Sequence, residues 1–156
     1  MSSSPIAQSW QIVFQNYSLF PIHSIVTTAE IIDSFKQATT DLLWSSESDY
    51  PFEIVTWDRG IDLTPTALFS PRIAPDLAIE QITLSELFEP VLTIEDWYEA
   101  EELAQVARYT DLEHAIESHL TDVQVFRIGS IEIAIYIVGK TPDGDVVGLK
   151  THVVET

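Results

Sequence analysis

The sequence predicts an α/β fold in which helices cover both faces of a mixed sheet. Apolar residues recur at helical spacing over 28–44, and again in the two stretches that follow Thr93 and Thr110. Runs of β-forming residues occupy 52–57 and the chain from residue 123 to its end. Packing helices against a sheet is the arrangement that buries the apolar sides of both kinds of element.

Capping residues predict where the helices begin. Thr27 and Glu30 have the spacing of a capping box, which starts the first helix. Thr93 and Thr110 are predicted to begin two further helices in series, the first of which carries Trp97 on its apolar stripe.

The middle of the chain gives weaker signals. Thr64-Pro65 is typical of a helix N-cap followed by proline at the first helical position, and it predicts a short helix to about Phe69. Residues 78–83 are interpreted as a strand. Residues 85–88 are interpreted as one helical turn that Pro90 stops.

Three antiparallel strands are predicted at the C-terminus. Runs at 123–128 and 131–138 are joined by Gly129-Ser130 as a hairpin. TPDG at 141–144 is a turn sequence that leads into a last strand over about 146–154.

Acidity is the strongest compositional feature. Twenty-five acids face seven bases, for a formal charge of −18, and nine of the acids lie between Arg72 and Arg108, where there is no lysine or arginine. Such a field repels nucleic acid and anionic membranes and attracts basic proteins. We therefore expect a protein partner, with no direct contact to nucleic acid or membrane. A solvated face that only serves solubility is the alternative interpretation.

Other features concern location and domain organisation. The sequence has no cysteine, which removes disulfides and thiolate chemistry and fits a reducing compartment. The first 29 residues lack a basic start, and polar residues interrupt their apolar run, so neither a signal peptide nor a membrane span is predicted. We expect a cytoplasmic protein with an extension of unknown role over 1–27 and one domain over 28–156.

Catalytic signatures are scarce. There is no nucleophile elbow and no glycine-rich phosphate loop, and His114 and His119 are too far apart in sequence to share a helix face as a metal pair. Asp143-Gly144-Asp145 is interpreted as part of a β-turn rather than a calcium loop. Paired carboxylates leave open a hydrolase that uses two acids. We predict a binding protein without a cofactor, not an enzyme.

Two segments resemble the nuclease A inhibitor family of cyanobacteria. They are LLWSSESDYPFEIVTWD (42–58) and DWYEAEE (96–102), and the second continues through the last helix into QVFRIGSIEIAIYIVGKTPDGDVVGLKTHVVET (124–156). The resemblance is weak between the two segments and absent over 1–27. It implies a three-layer α/β/α sandwich of the pathogenesis-related-1 type. It also implies an intracellular inhibitor, expected to be monomeric when free, of a sugar-non-specific DNA/RNA nuclease that uses a divalent metal, normally magnesium.

The resemblance assigns the main inhibitory role to Glu47. Its carboxylate would enter the nuclease active site and bind at or near the metal of that enzyme. The flanking Ser46 and Ser48 are expected to contact the nuclease as well. A carboxylate suits this role because magnesium prefers hard, anionic oxygen. The α-carboxylate of Thr156 would be a second anionic contact, with a frayed terminus as the alternative.

A second contact region is implied around Trp97. By resemblance this side chain is an aromatic anchor, although core packing on a helix face is an equal alternative. Asp96 and Glu95 precede it, and the family representative has glutamine at the position of Glu95, so the presumed interface carries one more charge here. The alternative function that the residues leave open is an acidic interaction module with a different basic partner.

Overall fold

The computed structural model describes residues 26–70 and 77–155, which form an α/β fold. The described helices are α1 (Thr28–Thr39), α2 (Pro65–Phe69), α3 (Leu84–Leu92) and α4 (Ala100–His119). The described strands are β1 (Leu43–Trp44), β2 (Tyr50–Pro51), β3 (Glu53–Trp57), β4 (Ile79–Ile82), β5 (Thr121–Ile128), β6 (Glu132–Lys140) and β7 (Val146–Val154). The predicted extension over 1–27 lies outside the described residues up to residue 25, so the division into extension and domain stays a prediction.

The main sheet has five strands in the order β3-β7-β6-β5-β4, and β1 pairs with β2 in a separate hairpin. Each neighbouring pair of described strands in the main sheet is antiparallel, so over residues 26–70 and 77–155 the prediction of a mixed sheet is wrong. Two helices, α3 and α4, connect β4 to β5. Because the second helix returns the chain toward the end of β4, strand β5 runs antiparallel to β4. The chain re-enters the sheet beside the end it left, with Ile82 opposite Val125. The predicted C-terminal antiparallel strands are confirmed.

Apolar side chains lie on both faces of this sheet. On the first face, alternate residues such as Ile133, Ile135 and Ile137 are buried against α1, α3 and α4. On the second face, Phe126 and Tyr136 pack with the end of α2. Alternation along each strand explains this division, because successive side chains point to opposite sides. The three-layer sandwich of the pathogenesis-related-1 type stays a prediction.

Two of the predicted helix starts are confirmed in atomic detail. The Glu30 N–H donates to Thr27 Oγ1 at 3.2 Å, and the Thr27 N–H donates to Glu30 Oε1 at 3.2 Å, which completes the capping box of α1. The Ala67 N–H donates to Thr64 Oγ1 at 3.2 Å at the start of α2.

The first helix is shorter than predicted. It ends at Thr39 rather than at residue 44. The hydroxyls of Thr39 and Thr40 donate to the carbonyls of Phe35 and Lys36 at 2.8 and 2.7 Å, and Asp41 then adopts a left-handed backbone conformation with φ 57°. Such a conformation ends a helix and turns the chain away from its axis.

Helix α3 is longer than the single turn that was predicted. A second capping box starts it, with the Glu86 N–H donating to Thr83 Oγ1 at 3.0 Å and the Thr83 N–H donating to Glu86 Oε1 at 3.2 Å. Pro90 lies inside the helix but close to its end at Leu92. Proline there removes one helical hydrogen bond from the last turn, so little helix remains to be disrupted.

The two helices predicted after Thr93 are one helix, α4. Thr110 lies inside it, and the Thr110 hydroxyl donates to the Val106 carbonyl at 2.9 Å instead of capping a new start. Residues 93–99 precede α4 and contain a turn, in which the Tyr98 N–H donates to the Glu95 carbonyl at 3.1 Å. The predicted helix that carried Trp97 is therefore wrong. The apolar face over Leu112, Ile116 and Leu120 is confirmed.

The start of α1 is attached to the turn between β6 and β7. The Thr28 hydroxyl donates to Asp145 Oδ2 at 2.6 Å, and its N–H donates to Asp143 Oδ2 at 3.2 Å. In the turn itself the Gly144 N–H donates to the Thr141 carbonyl at 2.9 Å, which confirms a β-turn. Within the described ranges, no helix has the length and apolar character needed to cross a membrane.

Glu113 on α4 generates a prediction about pH. Burial raises the pKa of its carboxyl, the nearby Glu117 charge adds to the shift, and His114 opposes it. The folded state therefore holds this proton more tightly than the unfolded state, and the ionised carboxylate costs stability above its raised pKa. We expect Glu113→Gln to increase the free energy of unfolding at pH 7. The gain should disappear as the pH falls below the ordinary glutamate pKa.

Urea denaturation of both proteins over a pH series measures this difference. Asp111→Asn is the matched control, because Asp111 is an exposed acid of the same helix. A Glu113→Gln protein with no gain at pH 7, or with a gain equal to that of the control, would contradict the prediction.

Candidate functional site

Glu47 lies in the loop of a short β-hairpin. Leu43 pairs with Pro51 and Trp44 with Tyr50, so residues 45–49 connect the two strands. Each residue of this connection is exposed, with Glu47 at its centre. The sequence indicated a polar loop between a helix end and a strand, and the structure adds the paired strands that hold it.

Trp44 anchors the base of this hairpin in the core. Its side chain is 5% exposed. Its ring meets those of Phe52, Phe88 and Tyr109 edge to face, with centroid distances of 5.9, 5.4 and 5.5 Å. Aromatic pairs in this geometry contribute about 0.5–1.5 kcal/mol each beyond the area they bury. The hairpin is thus fixed to α3, α4 and the start of β3.

Hydrogen bonds hold the backbone of both hairpin strands. The Tyr109 hydroxyl donates to the Leu43 carbonyl in β1. The Thr151 hydroxyl, on β7, donates to the Pro51 carbonyl at 2.9 Å in β2. Because Tyr109 and Thr151 are both buried, these bonds form away from competing water. Both legs of the hairpin are therefore attached to rigid elements.

Ser46 connects the loop to the end of β7. Its hydroxyl donates to the Ser48 carbonyl at 2.7 Å and accepts from the Val154 N–H at 3.3 Å. Ser48 takes part in the loop through its backbone, since its N–H also approaches Ser46 Oγ, at 3.4 Å. Ser46 thus holds the loop through its side chain and Ser48 through its backbone, a difference that the sequence does not indicate.

Trp97 lies in the second candidate region, the segment 93–99 between α3 and α4. Its side chain is 68% exposed, and its ring meets Tyr98 edge to face at 4.7 Å. The interpretation of Trp97 as a core residue is therefore wrong. Glu95 and Asp96, immediately before it, are also exposed. This segment presents one large aromatic surface surrounded by carboxylates.

A groove joins this segment to the hairpin. It has a volume of about 290 Å³ and is lined by Ser45 from the loop, by Trp97 and Tyr98, and by Glu102 and Tyr109 of α4. The structure thus brings the loop and the Trp97 segment, distant in sequence, to the lining of one groove.

A second, smaller groove of about 190 Å³ also borders the loop. Ser46, Arg127 and Glu155 contribute to its walls. Arg127 pairs with Glu155 at 2.6 Å and with Glu80 at 3.2 Å. The end of β7 is therefore held beside the loop. Thr156, the other predicted anionic contact, lies outside the described residues.

Sequence reasoning missed the residues that support the loop. Trp44, Tyr109 and Thr151 were not identified, and the signal that could have indicated Trp44 is an aromatic residue directly before a run of polar ones. Arg127 was missed because an isolated basic residue in a strand carries no motif. Across residues 26–70 and 77–155 there is no group of three or more histidine, aspartate or glutamate side chains that could hold a metal ion.

A family model described as nuclease A inhibitor-like protein matches residues 29–156. The matched range includes the hairpin loop, the Trp97 segment and the end of the chain. A search of curated proteins finds no match.

The support of the hairpin generates a prediction about Tyr109. Tyr109→Phe keeps the ring against Trp44 but leaves the Leu43 carbonyl without its buried donor. We expect the free energy of unfolding to fall by about 1 kcal/mol. Urea denaturation measures the loss, with Tyr98→Phe as the control, because the Tyr98 ring packs on exposed Trp97. Equal stabilities of the two variants would show that the hydroxyl does not hold the hairpin.

Proposed function

The chain belongs to the nuclease A inhibitor-like family, and we propose from this membership that it inhibits a metal-dependent, sugar-non-specific nuclease through Glu47. In this proposal the hairpin loop enters the active site of the nuclease. The Glu47 carboxylate takes a position at or near the metal of that enzyme, where a phosphate of the substrate would otherwise lie.

The observation that carries the proposal is an exposed carboxylate on a rigidly held hairpin. A flexible loop would lose conformational entropy on entering an active site, and this loss would weaken binding. Here Trp44, Tyr109 and Thr151 fix both strands at the base of the loop before any partner is bound. The conformational entropy of the loop is therefore lost when the chain folds rather than when it binds.

The chemistry of a carboxylate fits this position. Magnesium in proteins binds hard oxygen ligands, commonly carboxylates and phosphate oxygens. Glu47 offers the same kind of oxygen as a nucleic-acid phosphate, but it contains no phosphodiester bond that the enzyme could cleave. Occupation of the metal by Glu47 would block the substrate without turnover.

The exposed Trp97 supports a second contact in the same interface. Large aromatic side chains are frequent hot spots of protein interfaces. Trp97 and the loop line one groove, so a single partner surface can cover both. Glu95 and Asp96 beside Trp97 would face basic residues around the nuclease active site. The Thr156 carboxylate is proposed as a further anionic contact.

Glu47→Ala provides the direct test of the proposed mechanism. We expect the substitution to weaken binding to the cognate nuclease by about 2–5 kcal/mol, the range for a buried, charged hot spot. The readout is the inhibition constant for magnesium-dependent cleavage of plasmid DNA. Asp58→Asn is the matched control, because it removes the same charge from an exposed position at the far end of β3, where Trp57 pairs with Val146.

Two results would argue against the mechanism or the function. Inhibition by Glu47→Ala that equals that of the native chain would contradict the role of the loop. A native chain that inhibits no magnesium-dependent nuclease, yet binds another basic protein, would instead establish the acidic interaction module as its function.

The charge of −18 generates a prediction about association kinetics. An acidic field attracts a basic active-site groove over distances that salt screens. We expect the association rate constant to fall by about tenfold or more between low and high salt, while the dissociation rate changes much less. Stopped-flow measurements over a salt series check this expectation. A salt-independent association rate would show that the field plays no part in the encounter.

A further inference from the structure

The Ser46 hydroxyl uses its whole hydrogen-bonding capacity within the chain. A serine hydroxyl has one hydrogen to donate and two lone pairs to accept with. Ser46 donates to the Ser48 carbonyl at 2.7 Å, and it accepts from the N–H groups of Val154 and Ser48 at 3.3 and 3.4 Å. The Ser46 hydroxyl can therefore form a hydrogen bond with a partner protein only if one of these internal hydrogen bonds is broken.

These hydrogen bonds join Ser46 to two parts of the chain, the loop itself and the end of β7. The hydrogen bond from the Ser46 hydroxyl to the Ser48 carbonyl joins the residues on either side of Glu47 and forms a turn there. The bond from Val154 fixes the closed loop to the end of β7. That end is itself held, because the Glu155 N–H donates to the Ile131 carbonyl at 2.9 Å and the Glu155 carboxylate pairs with Arg127 at 2.6 Å.

We propose that Ser46 is a positioning residue, whose hydroxyl fixes the loop to the end of β7 and so sets the direction of Glu47. This inference rests on the proposed function, and it replaces the expected contact of Ser46 with the nuclease. Ser46 acts through Glu47, and its hydrogen bonds to Ser48 and Val154 are called the latch below. Ser48 contributes its backbone N–H and carbonyl to this latch.

The inhibition experiment uses the full chain and plasmid cleavage by a magnesium-dependent, non-specific nuclease. Ser46→Ala should weaken inhibition about 3- to 10-fold, the effect of losing one or two net hydrogen bonds. Ser46→Thr retains the hydroxyl and should stay within about twofold of the native chain, because position 46 is exposed and accepts a methyl group. Ser118→Ala is the matched control, because it removes a hydroxyl from an exposed position on α4, outside the loop, and it should also stay within about twofold.

A double-mutant cycle separates positioning from direct contact. When Glu47 is already alanine, Ser46→Ala should cause no further loss, because nothing remains to be directed. An equal loss in both backgrounds would overturn the proposal, since it would mean that Ser46 contacts the nuclease itself. A loss in Ser118→Ala equal to that in Ser46→Ala would also overturn it, because the effect would then not depend on the bonds of Ser46.

Amide hydrogen exchange tests the latch in the free protein, without any nuclease. Ser46→Ala should speed exchange at Ser48 and Val154, while the amide of Leu149, in the centre of β7, should not change. If the native chain inhibits no nuclease, the proposed function fails and this measurement still decides whether the latch exists. Unchanged exchange at both Ser48 and Val154 would overturn the inference.

Discussion

The packing of Trp44 against three aromatic rings is the constraint on which the rest of the site depends. Phe52, Phe88 and Tyr109 come from three separate parts of the chain, and they meet around one buried indole. Because Trp44 is the residue before the loop, burying it fixes where the loop leaves the core. The Tyr109 hydroxyl and the Thr151 hydroxyl then hold the two hairpin strands. The exposed acid at the centre of the loop is thus placed by residues that are themselves hidden from a partner.

An acidic protein of this kind must also limit repulsion between its own charges. Three of its few basic residues connect different helices, strands or turns. Arg108 donates to the carbonyls of Ala38 and Thr40 at 3.0 and 2.7 Å, at the C-terminal end of α1, where a positive charge is favourable. Arg59 donates to the Asp143 carbonyl, and Arg127 pairs with two carboxylates. The bases therefore stabilise connections between elements, while the exposed surface remains negative.

Local signals in the sequence predicted the local structure well. The capping box at Thr27, the Thr64-Pro65 helix start and the turn at 141–144 are satisfied by atoms a few residues apart, so the sequence contains all the information they need. The predicted break at Thr110 is wrong because its hydroxyl bonds back to Val106 inside a continuous helix. A capping pattern in sequence cannot distinguish these two uses of a threonine.

Features that depend on residues far apart in the chain could not be predicted from the sequence. The antiparallel order of β4 and β5 follows from how two intervening helices return the chain, and no residue in either strand encodes it. Resemblance to a family identified Glu47 and Trp97 as candidates, but the groove that Trp97 shares with Ser45 of the loop appears only in the fold. Likewise, Ser46 and Ser48 are equivalent as letters, and the bond from Val154, over a hundred positions away, separates their roles.

The most direct test of the account places a paramagnetic metal in the nuclease. With Mn²⁺ substituted for Mg²⁺, the metal broadens the amide signals of a bound, isotope-labelled inhibitor according to their distance from it. If Glu47 lies at the metal, broadening should be strongest at residues 46–48 and weak at the turn between β6 and β7, at the opposite end of β7. Strongest broadening at any other part of the chain, with residues 46–48 unaffected, would contradict the central claim.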